Sequence, residues 1–198
     1  MSERPKPYRK PQERALRRPA HLPHGRWLGD FKRLSEAERR LVTCCGQGEE
    51  WFPDDWDREL DRKNWKPPEK ATAANTIRAG LIRFLALGGD NAHPVHEKGV
   101  MARGAWIDGT LNLHQCTAPV RLDLKWCNFA RTPNLMKSRL PELALSGSLV
   151  PGLTADGMKV AGGVFLREGF KVQGEVRLPG AEIGGDLVCS GGSFANED

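Results

Sequence analysis

Gly109-Thr-Leu-Asn-Leu113, Gly174-Glu-Val-Arg-Leu178 and Gly185-Asp-Leu-Val-Cys189 are three copies of one phrase. Each has a glycine, a spacer, and two apolar residues flanking one that is usually polar. Anchored on the first apolar residue, copies fall at Leu111, Leu122, Leu143, Val164, Val176 and Leu187, in steps of 11, 21, 21, 12 and 11 residues. Leu153 splits the second long step into 10 and 11, and a degenerate copy near Thr132 splits the first. A period near 11 that doubles to about 21 marks a repeat architecture.

Alternation within each copy is the period-2 signal of a strand. Strands of about three residues are too short to build a sandwich. Stacked in register at ~4.8 Å they form parallel ladders around a narrow apolar core. The expected fold is mainly β with an α-helical N-terminal region: a right-handed parallel β-helix of about four coils, capped by a helix. Gly162-Gly163, Pro179-Gly180 and Gly184-Gly185 mark corners. The intervening residues, Asn112, Asp123, Ala144, Phe165 and Arg177, are expected to face outward, while Cys116, Cys127 and Cys189 join the inner columns.

Upstream, Leu34 to Gly46 reads as a helix with a Ser35/Glu38 capping box and Gly46 as its stop. Leu41, Val42 and Cys45 would face inward. A short helix is expected from Asp54 to about Asp61 in a stretch rich in acids and in Trp51, Trp56 and Trp65, with Pro67-Pro68 ending it. That cluster lacks the glycine turn and final glutamate of a calcium loop. Ala71 to Leu87 reads as the strongest helix, with Ile77, Leu81, Phe84 and Leu85 on one stripe, Thr72 or Asn75 as cap and Gly88-Gly89 as end. Lying directly before the repeats, it is the expected cap of the solenoid. His93 and His96 flank a proline, and His114 and Cys116 follow about one turn later. No Cys pair completes a tetrahedral set, so loop and wall positions are expected, with no metal.

The chain has a hydrophobic fraction of 39%, and its 22 Gly and 14 Pro suit a thin-cored solenoid better than a helical bundle. No apolar run is long enough for a transmembrane helix. The charged, Pro-rich start lacks a secretory signal, and the five Cys lack framework spacing, which points to a cytoplasmic protein. The net charge of +5 is uneven: residues 1–40 hold 12 Lys/Arg against 5 Asp/Glu, whereas residues 71–198 are near neutral. Three regions follow: a basic, Pro-rich, disordered arm over 1–26, a helical N-terminal and capping region over 27–92, and the β-solenoid over 93–198.

Cys127-Asn-Phe-Ala-Arg131 and Leu153-Thr-Ala-Asp-Gly157 are loose copies of a pentapeptide phrase, and here the chain resembles bacterial pentapeptide-repeat right-handed β-helix proteins. It is most similar to uncharacterised bacterial proteins labelled "membrane-associated oxidoreductase". In these a helix like Ile77-Arg-Ala-Gly-Leu-Ile-Arg-Phe84 precedes phrases like Val95-His-Glu-Lys-Gly-Val100 and Gly104-Ala-Trp-Ile-Asp-Gly109. The resemblance covers about residues 75–192 and implies the solenoid fold. It also implies that longer relatives exist, with this chain a short form whose last coil stops at Phe194.

No dinucleotide fingerprint, no Cys-x-x-Cys and no triad-like grouping is present, so neither a cofactor nor catalysis is expected. The expected role is non-catalytic: a binding or scaffold protein holding a protein partner on the solenoid surface. The candidate partner-binding residues are Arg9, Lys10, Arg14, Arg17, Arg18, Asp123, Phe165 and Arg177. The alternatives are nucleic-acid binding through the basic arm and the oxidoreductase activity of the family label. A near-neutral rod argues against DNA mimicry. An uncapped last coil, Ile183 to Phe194, would allow a homodimer.

Overall fold

The computed structural model describes residues 23–57 and 64–195. From Val100 the chain winds as a four-sided β-solenoid of about four turns. The first side stacks Val100–Arg103, Leu122–Lys125, Leu143–Ala144, Val164–Phe165 and Leu187–Val188 as parallel rungs. The second side stacks Trp106–Asp108, Asn128–Phe129, Leu149–Val150, Lys171–Val172 and Ser193–Phe194. The third carries Asn112, Asn134, Leu153–Thr154 and Val176–Arg177, and the fourth Thr117, Arg139–Leu140, Lys159–Val160 and Glu182–Ile183.

This arrangement explains the two periods. Leu122, Leu143, Val164 and Leu187 share the first side, so the 21-residue step is one whole coil. Leu111, Leu153 and Val176 sit half a coil away on the opposite, third side. The degenerate copy is anchored by Pro133, one residue after Thr132, because Asn134 pairs with both Asn112 and Thr154. Inward columns are dry: Leu122, Leu124, Ile107, Phe129, Leu143, Val150, Leu153 and Val164 are all at most 2% exposed. Burial of such columns is the main favourable term, roughly 1.5–3 kcal/mol per large side chain.

Two opposite corners turn through left-handed residues. Gly104, Trp126, Gly147, Glu168 and Gly191 form one column, and Gln115, Lys137, Gly157 and Gly180 the other. In the first column backbone N–H groups reach the next coil: Gly104 donates to Lys125 O, Trp126 to Ser146 O, Gly147 to Arg167 O and Glu168 to Ser190 O. Trp126 holds φ +50°, a strained setting for a bulky residue, and its ring packs where Gly147 has no side chain.

The N-terminal region closes the start of the rod. Helix α1 (Glu36–Gln47) has the expected capping box, with Ser35 and Glu38 bonded reciprocally. Its stop is Gly48, in the left-handed conformation, and not Gly46. Leu41 and Cys45 are buried. The expected Ala71–Leu87 helix is shorter. Thr72 and Asn75 do bond each other, but they close a turn before a strand, β1 (Thr76–Arg78). This strand pairs with Trp106–Asp108 and puts Ile77 into the core, a stronger use of that residue than another helical turn. Helix α2 is Ala79–Ala86, with Leu81, Ile82, Phe84 and Leu85 sealed onto the first coil. Trp51 adds a rung to the first side: its N–H donates to Met101 O and its carbonyl accepts from Arg103 N–H, both at 2.9 Å. The described part of the expected 54–61 helix, residues 54–57, forms a turn.

Glu38 joins these pieces. Arg78 Nε and Nη2 donate to its two carboxylate oxygens at 2.7 Å, and Arg78 N–H donates at 3.1 Å. Burial pushes the Glu38 carboxyl upward, but these bonds and the Ser35 N–H hold it below its ordinary value. At the far end Leu187 and Phe194 are each 46% exposed, and Cys189 is also exposed. Cys189 thus departs from the expected inner position because no described coil follows it. Among the described residues no helix is long and apolar enough to cross a membrane.

Candidate functional site: a groove on the first corner

The left-handed corner carries an aromatic ladder. A side chain at Gly104 would run into Trp56, and one at Gly147 would run into Trp126. Trp65 stands between these indoles, 5.5 Å from Trp56 and 4.7 Å from Trp126, edge-on to both. Phe52 extends the stack to the buried start of the rod. The next rung, Glu168-Gly169, is bare: nothing lies within 4 Å of where a Gly169 side chain would begin.

A groove of about 930 Å³ opens beside that rung. Its outer wall is the strap Trp65 to Glu69, which is pinned to the rod where Asn128 Nδ2 donates to Pro68 O at 2.9 Å. Its floor is Leu149, an outward leucine of the second side, with Trp126 and Gly169. Lys66, Lys125, Arg167 and Lys171 surround it, against Glu69 and Glu168. Lys125 lies 3.4 Å from Asp123, and Arg167 lies 3.2 Å from Glu168. Among the described residues Lys66 and Lys171 have no such carboxylate neighbour, and the described rim holds four cations against two carboxylates.

No protein-family model matches the chain, and neither the characterised proteins nor the solved structures searched contain a match.

Among the groove's described residues no nucleophile is held by a base. Ser148 donates to Leu124 O at 2.9 Å and accepts from Cys127 N–H at 3.0 Å, so its hydroxyl is committed to the rod. What the arrangement presents is apolar surface flanked by cations.

The sequence-derived candidates fall apart in space. Asp123 points outward from the first side as expected, yet it is buried and held by Arg103, so it presents no surface to a partner. Phe165, on the same side, is half-buried beneath Arg167, whose guanidinium sits 5.1 Å from its ring. Arg177 is exposed on the opposite, third side and pairs with Asp156 and Glu175. Arg9, Lys10, Arg14, Arg17 and Arg18 lie outside the described residues. Of the described candidates only Phe165, through Arg167, adjoins the groove.

His93 and His96 serve turns. His93 Nδ1 is 3.0 Å from Asp90, and His96 Nδ1 accepts from Lys98 N–H at 3.1 Å. Among the described residues no group of three or more His, Cys, Asp or Glu side chains converges as a metal site.

Leu149, Lys171 and Trp126 were not among the sequence-derived candidates. The available signal was a leucine and a lysine one coil apart at positions that the alternation assigns to the outside.

Proposed function

We propose that this protein is a non-catalytic binding protein, whose solenoid is a rigid frame that holds a protein partner. The observation that carries this reading is the groove. An apolar floor of Leu149 and Trp126, a fixed proline wall and a rim of cations meet on the outside of a thin rod. Hot spots of protein interfaces are built from such desolvated apolar pockets ringed by polar groups. The resemblance to pentapeptide-type rods, which act by binding proteins, agrees with it.

The test compares proteins retained from native-host extract by the wild-type chain and by a Leu149→Glu, Lys171→Glu variant. Each retained protein is then purified and its binding measured directly. Expected is at least one partner that binds the wild type and not the variant. If every purified partner binds both equally, or none binds at all, the reading fails.

A second reading rests on the charge of the N-terminal residues, where 12 Lys/Arg face 5 Asp/Glu over positions 1–40. Such an arm suits nucleic-acid phosphates. Its affinity would fall steeply with salt and would disappear on removal of residues 1–26; binding that ignores salt rejects it. Leu187 and Phe194, exposed on the last described coil, would serve as a contact surface for a second copy. A monomer by sedimentation at high concentration rejects that pairing.

A further inference from the structure

We infer that the groove takes an extended acidic peptide segment that sets one aromatic side chain on the bare rung at Gly169. This deepens the binding reading above and rests on it. Three observations carry it.

The first is the register of the ladder. Indoles cover Gly104 and Gly147 on the same corner, whereas on the next rung, beside the column residue Glu168, the space over Gly169 is open and lies in the groove. A ring placed there meets Leu149 on one side and the edge of Trp126 on the other. It continues an edge-to-face series that the chain already uses.

The second is charge. Four cations surround the apolar floor against two carboxylates, and Lys66 and Lys171 are exposed without a carboxylate neighbour among the described residues. Acidic residues on either side of the anchoring ring complement them.

The third is shape. The groove is partly open to solvent, whereas sites for small ligands enclose most of the ligand's surface. An extended segment keeps its far side in water and fits an open channel. Single-stranded nucleic acid fits less well. The apolar floor is one leucine beside a largely covered indole, room for a single ring and not for the run of stacked bases that single strands use. Glu69 and Glu168 also oppose an evenly charged phosphate chain.

The experiment selects a displayed library of random linear peptides on the full-length protein. Binding of the enriched peptides is then measured by fluorescence anisotropy. The proteins compared are the wild type, Lys171→Glu, Leu149→Glu, and Arg139→Glu as an equal charge reversal on the fourth side. Thermal melts confirm that each variant is folded, and Lys171→Glu, on an exposed side chain, guards against a folding defect at Leu149. Expected are peptides with several acids around one aromatic residue, weakened about tenfold or more by Lys171→Glu and by Leu149→Glu and unchanged by Arg139→Glu.

Enriched peptides that are neutral or basic but lost in Leu149→Glu leave the binding reading standing and overturn the acidic ligand. Peptides indifferent to both groove variants overturn the groove as the site. Displacement of the peptides by labelled oligothymidylate, with the same variants abolishing its binding, assigns the groove to nucleic acid instead. Failure to enrich any peptide overturns this inference, while the partner test above decides the broader reading separately.

Discussion

Arg103 and Asp123 lie one coil apart on the first side and form a two-pronged ion pair. Nη1 donates to Oδ1 and Nη2 to Oδ2, each at 3.0 Å, and the side chains are 4% and 5% exposed. Arg103 Nη2 also donates to Glu50 at 2.6 Å, which ties the Trp51 rung to the rod. Removing one partner breaks both prongs and leaves the other's buried charge a single remaining ion pair, Asp123 to Lys125 or Arg103 to Glu50. Arg103→Met alone or Asp123→Leu alone is expected to cost about 3–5 kcal/mol, and the double variant much less than the sum. A double-mutant cycle by chemical denaturation measures this, and additive losses would count against a coupled pair.

Gly147 and Gly169 share a left-handed backbone but not a neighbourhood. Gly169→Ala adds a methyl in open space, so it should cost only the backbone strain, about 1–2 kcal/mol. Gly147→Ala drives its methyl into the Trp126 indole and should cost distinctly more. It should also shift tryptophan emission by disturbing the ladder at Trp126 and Trp65. Equal costs and an unmoved spectrum would mean that the indoles do not rest on the corner.

The cap is expected to be acid-labile. Burial raises the Asp90 carboxyl, but N–H donors of Leu28 and His93 and the His93 ring hold it below its ordinary 3.8, just as Glu38 is held below 4.5. A carboxylate whose folded pKa is depressed contributes stability above its unfolded value and loses that contribution as pH falls through the folded one. Stability should therefore be flat near neutrality and decline below pH about 4.5, and Glu38→Gln should flatten the decline. Denaturation midpoints across that range check it. A wild-type curve no steeper than that of Glu38→Gln would remove Glu38 from the account.

Two thiols should be silent. Burial pushes Cys45 and Cys127 each up to about 12, so neither is a thiolate at neutral pH. Cys189, exposed on the last coil, should react first with a thiol reagent, and Cys45 and Cys127 only after denaturant is added. Rapid labelling of Cys127, found by peptide mapping, would show that the rod opens readily.

The coil could be read from the chain because inward residues repeat with the geometry that buries them: Leu122, Leu143 and Val164 recur because each sits on the one before. Ser35 and Glu38 could be read because a cap is a contact across three residues. Ile77 was ambiguous, since an apolar residue at that spacing serves a helical stripe and a strand equally, and pairing with Ile107 decided it. The groove was the least legible. Its strap and floor come from residues such as Pro68 and Leu149, far apart in the chain, and what unites them is the Asn128 bond and the shared corner. Asp123 misled for the same reason. Alternation gives the direction of a side chain and says nothing of what lies over it.

The bond from Asn128 to Pro68 also has a bearing on how the molecule is made. The strap leaves the ribosome well before the coils that form its floor, so the groove is finished only when the fourth turn has wound into place. A ligand held there bridges the strap and coils about a hundred residues further along the chain, and its presence reports that those coils have wound.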